Sequence, residues 1–188
     1  MKTMQQSKKM LALTLAALIT IQPATAATEL TGDVRLACEA TLCLASSKRP
    51  GECHPSLQRY FGINKKKWKD TVRARRDFLR LCPASNADQQ MQNLTDTIAS
   101  SAGRCSAAEL NQSLAFSSPE NETAISNRMP TYCNAWFEHA YTEAAAELKP
   151  LYIGTPQTGG FWVEPQNHES ELKRHIASVQ NSSRTTTD

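Results

Sequence analysis

Six cysteines (Cys38, Cys43, Cys53, Cys82, Cys105 and Cys133) and four histidines (His54, His139, His168 and His175) have the widest chemical reach in this chain. A cysteine can serve as a nucleophile, a metal ligand or half of a disulfide, and its surroundings decide which. Cys53 and His54 are adjacent, which invites a nucleophile and base reading. Neighbours in sequence seldom meet as a catalytic pair, and a nucleophilic thiol must be free. Zinc wants closely paired ligands such as C-x2-C, and no such pair occurs. His139, with Glu138 and Glu143, reads as a solvent-facing group off the apolar stripe of a helix. No G-x-S-x-G, H-E-x-x-H or P-loop pattern is present. The expected chemistry is thiol oxidation to disulfides, with no catalytic residue, no metal and no cofactor.

Oxidation needs an oxidising compartment, and the N-terminus supplies an address. Lys2, Lys8 and Lys9 precede an apolar run from Met10 to Ile21, then Pro23 and Ala24-Thr25-Ala26. That layout predicts a secretory signal peptide over residues 1–26, cleaved after Ala26. The run is about 12 residues, short of the roughly 20 that a membrane span requires. The formal charge of +3 comes entirely from these three lysines, because the remaining Lys and Arg equal the 18 Asp and Glu. The exported part is therefore neutral, which argues against a global attraction to nucleic acid or an anionic membrane.

The elements that must hold the cysteines read as helices punctuated by Pro and Gly. The fold class predicted is mainly α: a small disulfide-stapled helical domain over residues 27–164, ending in a short Gly/Pro/aromatic segment. Asp33 is expected to cap a central buried helix to Ala45. Pro55 suits the first turn of a short helix through Phe61. Asn64 is expected to open a longer helix to Leu81, with Trp68, Val72, Phe78 and Leu79 inward. Ser85 and Asp88 sit at capping-box-like spacing, though the box strictly wants Glu or Gln at the second position; Met91, Leu94 and Ile98 follow at helical spacing, and Gly103 stops the helix. Ser106 to Glu109 has the capping-box pattern. Residues 115–130 are polar and read as a long loop. Thr131 is expected to cap a last large helix striped by Cys133, Trp136 or Phe137, Ala140, Ala144 and Leu148. Tyr152-Ile153 and Phe161-Trp162-Val163 suit a hairpin or aromatic anchors. Residues 165–188 read as a polar, partly disordered tail, with one weak helix at Leu172, Ile176 and Val179.

Helix geometry prunes the cysteine pairings. Cys38 and Cys43 on one helix stand about 7.5 Å apart along the axis and about 140° apart around it. A disulfide needs Cα atoms within about 7 Å, so the two must reach different partners. Cys43–Cys53 would close the loop after the helix, Cys38 would reach Cys82, and Cys105 would join Cys133. Other connectivities remain open at this stage.

Charge is uneven despite the neutral total. Nine Lys and Arg lie between Arg59 and Arg80 against Asp70 and Asp77, and six Glu lie between Glu109 and Glu147 against Arg128. Two solvated faces are the simplest reading. A binding face at Lys65, Lys66, Lys67, Lys69, Arg73 and Arg76 is the alternative.

The run Leu30-Thr31-Gly32-Asp33-Val34-Arg35-Leu36-Ala37-Cys38-Glu39-Ala40-Thr41-Leu42-Cys43-Leu44 resembles the N-terminal signature of the TrbM (TrbM/KikA/MpfK) family of plasmid conjugal transfer proteins. Arg49 to Cys53, Tyr60-Phe61-Gly62, Leu81-Cys82-Pro83, Gly103-Arg104-Cys105, Tyr132-Cys133 and Gly159-Gly160 continue the likeness, which covers residues 30–164. The resemblance implies a periplasmic accessory of a conjugative type IV secretion apparatus in a Gram-negative host. Its implied partners are other mating-pair-formation proteins, with no nucleic acid and no stable membrane span. The family brings no catalytic residue to carry over. A periplasmic cell-wall enzyme or enzyme inhibitor is the competing class, and a secreted effector a third.

Overall fold

The structure is a computed structural model describing residues 29–119, 122–143 and 147–185. The expected signal peptide and Ala144 lie outside the described residues. In chain order the elements are α1 (Gly32–Ala45), α2 (His54–Phe61), α3 (Trp68–Leu79), α4 (Gln89–Ser101), α5 (Ala107–Ser113), β1 (Ala115–Ser117), β2 (Thr123–Ile125), α6 (Thr131–Phe137), β3 (Leu151–Ile153), β4 (Phe161–Val163) and α7 (His168–Thr185). The mainly helical, disulfide-stapled class holds.

α1 runs through the middle, packing on α2, α3 and α4. Its Ala37, Ala40 and Leu44 are fully buried, and with Tyr60, Leu79, Ile98 and Leu110 they make the core. Small alanines let neighbouring helices approach closely, and Leu44 and Tyr60 fill the space between them. The helix is not buried on every side as expected: Leu42 is 71% exposed. Asp33 is not the cap. Thr31 precedes the helix without a side-chain cap bond, and the Asp33 carboxylate accepts from Arg59 Nε (3.1 Å) and Nη2 (2.7 Å).

α3 starts at Trp68, four residues later than expected. The Thr71 hydroxyl accepts from the Lys65 N–H at 2.9 Å, which folds residues 64–67 back over the first turn instead of into it. The helix then ends near Leu79, with Cys82 and Pro83 beyond. At α4 the Asp88 carboxylate accepts from Met91 N–H at 2.8 Å and is the cap. Ser106 does the same for Glu109 N–H at the start of α5.

Residues 115–125 are not a plain loop. β1 and β2 pair antiparallel, Phe116 opposite Ala124. β3 and β4 form the second hairpin, Tyr152 opposite Trp162. Its turn demands Gly160, where an added Cβ would meet the Ile153 and Thr155 carbonyl oxygens at 2.6 and 2.7 Å.

α6 is short. It begins after Pro130, with no cap from Thr131, and stops at Phe137. Both Trp136 and Phe137 are buried. Beyond them the backbone turns to serve α1, whose last carbonyls lack intrahelical partners. Leu44 C=O accepts from Trp136 Nε1 at 3.3 Å, and Ala45 C=O accepts from the Thr142 hydroxyl and Glu143 N–H, both at 2.9 Å. Those bonds explain why α6 stops at Phe137 instead of running on; Glu147 and Leu148 are helical again. α7 packs on β3 and extends to Thr185, past the polar positions from 181 onward that suggested an unstructured tail.

Three disulfides clasp the fold. Cys38–Cys82 ties α1 to the end of the α3 segment, with Cα atoms 4.8 Å apart. Cys43–Cys53 closes the loop before α2 at 5.9 Å, and Cys105–Cys133 joins the start of the α5 segment to α6 at 5.6 Å. No free cysteine is left among the described residues. None of the described helices is long and apolar enough to cross a membrane.

Candidate functional site: a basic and aromatic edge

Cys53 is consumed in a disulfide, so its neighbour His54 has no thiolate to activate. His54 instead lines a shallow apolar groove with Arg49, Leu57 and Phe61. The Arg49 guanidinium is partly desolvated there, which holds its pKa below the ordinary arginine value. His139 is not solvent-facing but half-buried: its Nδ1 accepts from Tyr141 N–H at 3.1 Å, and its Nε2 is buried without a partner. Glu138 is exposed and meets Lys149 at 3.1 Å. These groups do not converge on a common point. No cluster of potential metal ligands occurs among the described residues.

The densest run of exposed cations among the described residues lies at the turn into α3. Lys65, Lys66, Lys67 and Lys69 are all exposed. Trp68, in their midst, is 40% exposed rather than inward. The fold sorts the six residues of the expected binding face into two groups. Arg73 is paired with Asp70 and Arg76 with Asp96 at 2.8 Å, the latter carboxylate also taking Arg80 at 3.1 Å. The basic helix thus meets an acid of α4, not the Glu-rich region. The four lysines meet no carboxylate among the described residues.

What holds this edge is Arg75, which is only 8% exposed and has no carboxylate partner. Its Nε donates to Ile63 C=O at 3.2 Å and its Nη1 to Ala102 C=O at 3.4 Å. The guanidinium lies over the rings of Tyr60 (4.9 Å), Phe61 (5.5 Å) and Trp68 (5.5 Å). A buried cation requires hydrogen bonds or π faces to replace water, and here it has both. Burial also pushes the Tyr60 phenol well above its ordinary value, with Arg75 opposing the shift. Arg104 continues the stack, 4.7 Å from the Trp68 ring and 4.2 Å from Tyr132. Phe61 closes it by lying on Gly103, where a Cβ would sit 2.9 Å from the ring and where φ is +81°.

Sequence reasoning found the lysines but missed Arg75 and Arg104 as organisers. Trp68 and Arg75 are seven apart, two helical turns, so they share a face of α3. That spacing was the available signal. The contribution of Arg104 is non-local and leaves no trace in spacing.

Fold and edge together define a class: a small helical protein clasped by three disulfides and carrying a cationic surface at the turn into α3. The TrbM family model matches residues 29–176. The chain belongs to the TrbM family and is a plasmid conjugal transfer-associated protein. The match reaches into α7, beyond the 30–164 span of the likeness read from the residues. No curated protein and no solved structure matches the chain.

Proposed function

We propose that this protein is a periplasmic accessory or assembly component of a plasmid conjugative type IV secretion apparatus, acting through protein–protein contacts and not through catalysis. The carrying observation is the cysteine frame: all six cysteines lie inside the family match and all six are bonded. Disulfides of this kind persist in oxidising compartments such as the periplasm. The address supports the same reading, since residues 1–26 have the layout of a cleaved signal peptide. Other mating-pair-formation proteins are the proposed partners, and no nucleic acid or resident cofactor is required.

The test is deletion of the gene from its plasmid. Transfer to recipients should fall while nicking of the transferred strand continues. Complementation should need the N-terminal 26 residues or another export signal. Undiminished transfer, or rescue by a version confined to the cytoplasm, would contradict the proposal.

A further inference from the structure

We propose that the Lys65–Lys69 turn is a peripheral docking element for an anionic phospholipid surface. The reading goes beyond the conjugal role and does not depend on it. A neutral protein can still carry a strong local field when its charges are segregated, and here they are. Lys65, Lys66, Lys67 and Lys69 project from one turn without a carboxylate partner among the described residues. Beneath them Arg75 and Arg104 are likewise held by carbonyls and rings, not by acids. The local charge is therefore not cancelled from behind.

Trp68 supplies the second half of the argument. An indole among lysines is the pairing that sits at the level of lipid headgroups, the ring in the interface and the ammonium stems reaching phosphates. Trp68 is 40% exposed, whereas Trp136 and Trp162 are 4% and 6% exposed. Its ring cannot turn inward, because the space beneath is occupied by the two guanidinium groups. Phe61 stands beside it at 37% exposure.

Two other polyanions fit less well. Single-stranded nucleic acid is bound by aromatic faces on which successive bases stack, and here guanidinium groups already cover the Trp68 ring. An acidic protein segment is best gripped by the arginine fork, yet the four unpaired cations of the turn are all lysines. Lysines are mobile point charges, suited to a fluid array of headgroups that offers no fixed geometry.

The test uses the protein as purified from expressing cells, with vesicles of phosphatidylcholine alone or mixed with phosphatidylglycerol. Flotation should recover it with the mixed vesicles only, and added salt should release it. Because the other two tryptophans are buried, a blue shift of emission on binding should come from Trp68 and vanish in Trp68→Phe. Replacing all four lysines by Gln should weaken partitioning several-hundred-fold, at about fivefold per lysine. These side chains are exposed and unpaired, so far-ultraviolet dichroism and disulfide mapping should match the parent. Equal binding to neutral vesicles, full binding by the four-fold variant, or binding to single-stranded DNA or an acidic peptide without binding to vesicles would overturn the proposal. Loss of vesicle binding with normal transfer would separate it from the conjugal role and leave it standing.

Discussion

The two halves of this molecule are held by different physics. From α1 to α4 the chain is helix on helix: four amphipathic segments packed around Tyr60 and Leu44, with two disulfides between them. From α5 onward short elements are joined by side chains that hydrogen-bond distant backbone. Asn111 is the plainest case. Its Oδ1 accepts from Trp162 N–H at 2.7 Å and its Nδ2 donates to Trp162 C=O at 2.8 Å, so one α5 side chain completes the edge of β4. Trp162 Nε1 in turn donates to Ser126 C=O at 2.9 Å, and the Tyr152 hydroxyl to Ile125 C=O at 2.6 Å. Apolar area and chain restriction dominate the first half. The second shares the same core through Leu110, Trp136 and Phe137 and has its own clasp at Cys105–Cys133, but its short strands lean in addition on directional polar bonds.

The largest test of that contrast is removal of the long clasp. Cys38→Ala with Cys82→Ala frees a 44-residue separation, against 10 for Cys43–Cys53. Loop-closure entropy places the losses at about 4 and about 3 kcal/mol respectively, readable by urea unfolding. A reversed order would show that strain or residual structure, not loop length, governs the first half. Next comes Asn111→Ala, which leaves both backbone groups of Trp162 without their partner. A loss of about 2 kcal/mol is expected, with faster hydrogen exchange at the Trp162 amide. An unchanged amide would break the account of the second half. Tyr60→Phe should cost less, about 1 kcal/mol. Its hydroxyl bond to Ile98 C=O is lost, but that carbonyl still accepts from Ala102 N–H at 3.0 Å. A larger effect from Tyr60→Phe than from Asn111→Ala would invert the comparison.

The smallest effect concerns pH. The two-point bond from Arg59 holds Asp33 below its ordinary carboxylate value. The unfolded chain therefore takes up the proton first. The contribution is complete above the unfolded value of about 3.9 and fades as pH falls through the lower folded value. Both side chains are well exposed, so solvent screens the pair. Asp33→Asn should flatten the acid limb of the stability profile slightly and leave neutral stability nearly unchanged. Identical acid limbs in the two proteins would remove the ion pair from the first half's ledger.

The sequence was most readable where one helix decided its own fate. Pro55, Asp88, Ser106 and Gly103 mark boundaries close to where α2, α4 and α5 begin and α4 ends. It was least readable where a distant group intervened. The start of α3 is set by Thr71 reaching back to Lys65, and the stop of α6 by donors diverted to the Ala45 carbonyl. The β1–β2 hairpin has strands of only three residues inside a stretch that is polar overall, and only Ala124 of them is buried, so no alternation announced it. The candidate site divides in the same way. Its lysines are visible as a run, but the outward tilt of Trp68 follows from Arg75 and Arg104 stacking against it, and residue 104 is far away in the chain.

The order of the cysteines has a consequence for biogenesis. A ribosome delivers the chain N-terminus first, and an indiscriminate oxidant joins thiols as they arrive. That rule would couple Cys38 to Cys43 and Cys53 to Cys82, because the native bonds of the first half are nested, Cys43–Cys53 inside Cys38–Cys82. Only Cys105–Cys133 is formed correctly by arrival order. The α1 helix guards against the first error by aiming Cys38 and Cys43 apart, provided it winds before oxidation. Maturation is thus a race between helix formation and the oxidant, and when the oxidant wins, recovery requires thiol–disulfide reshuffling in the first half alone.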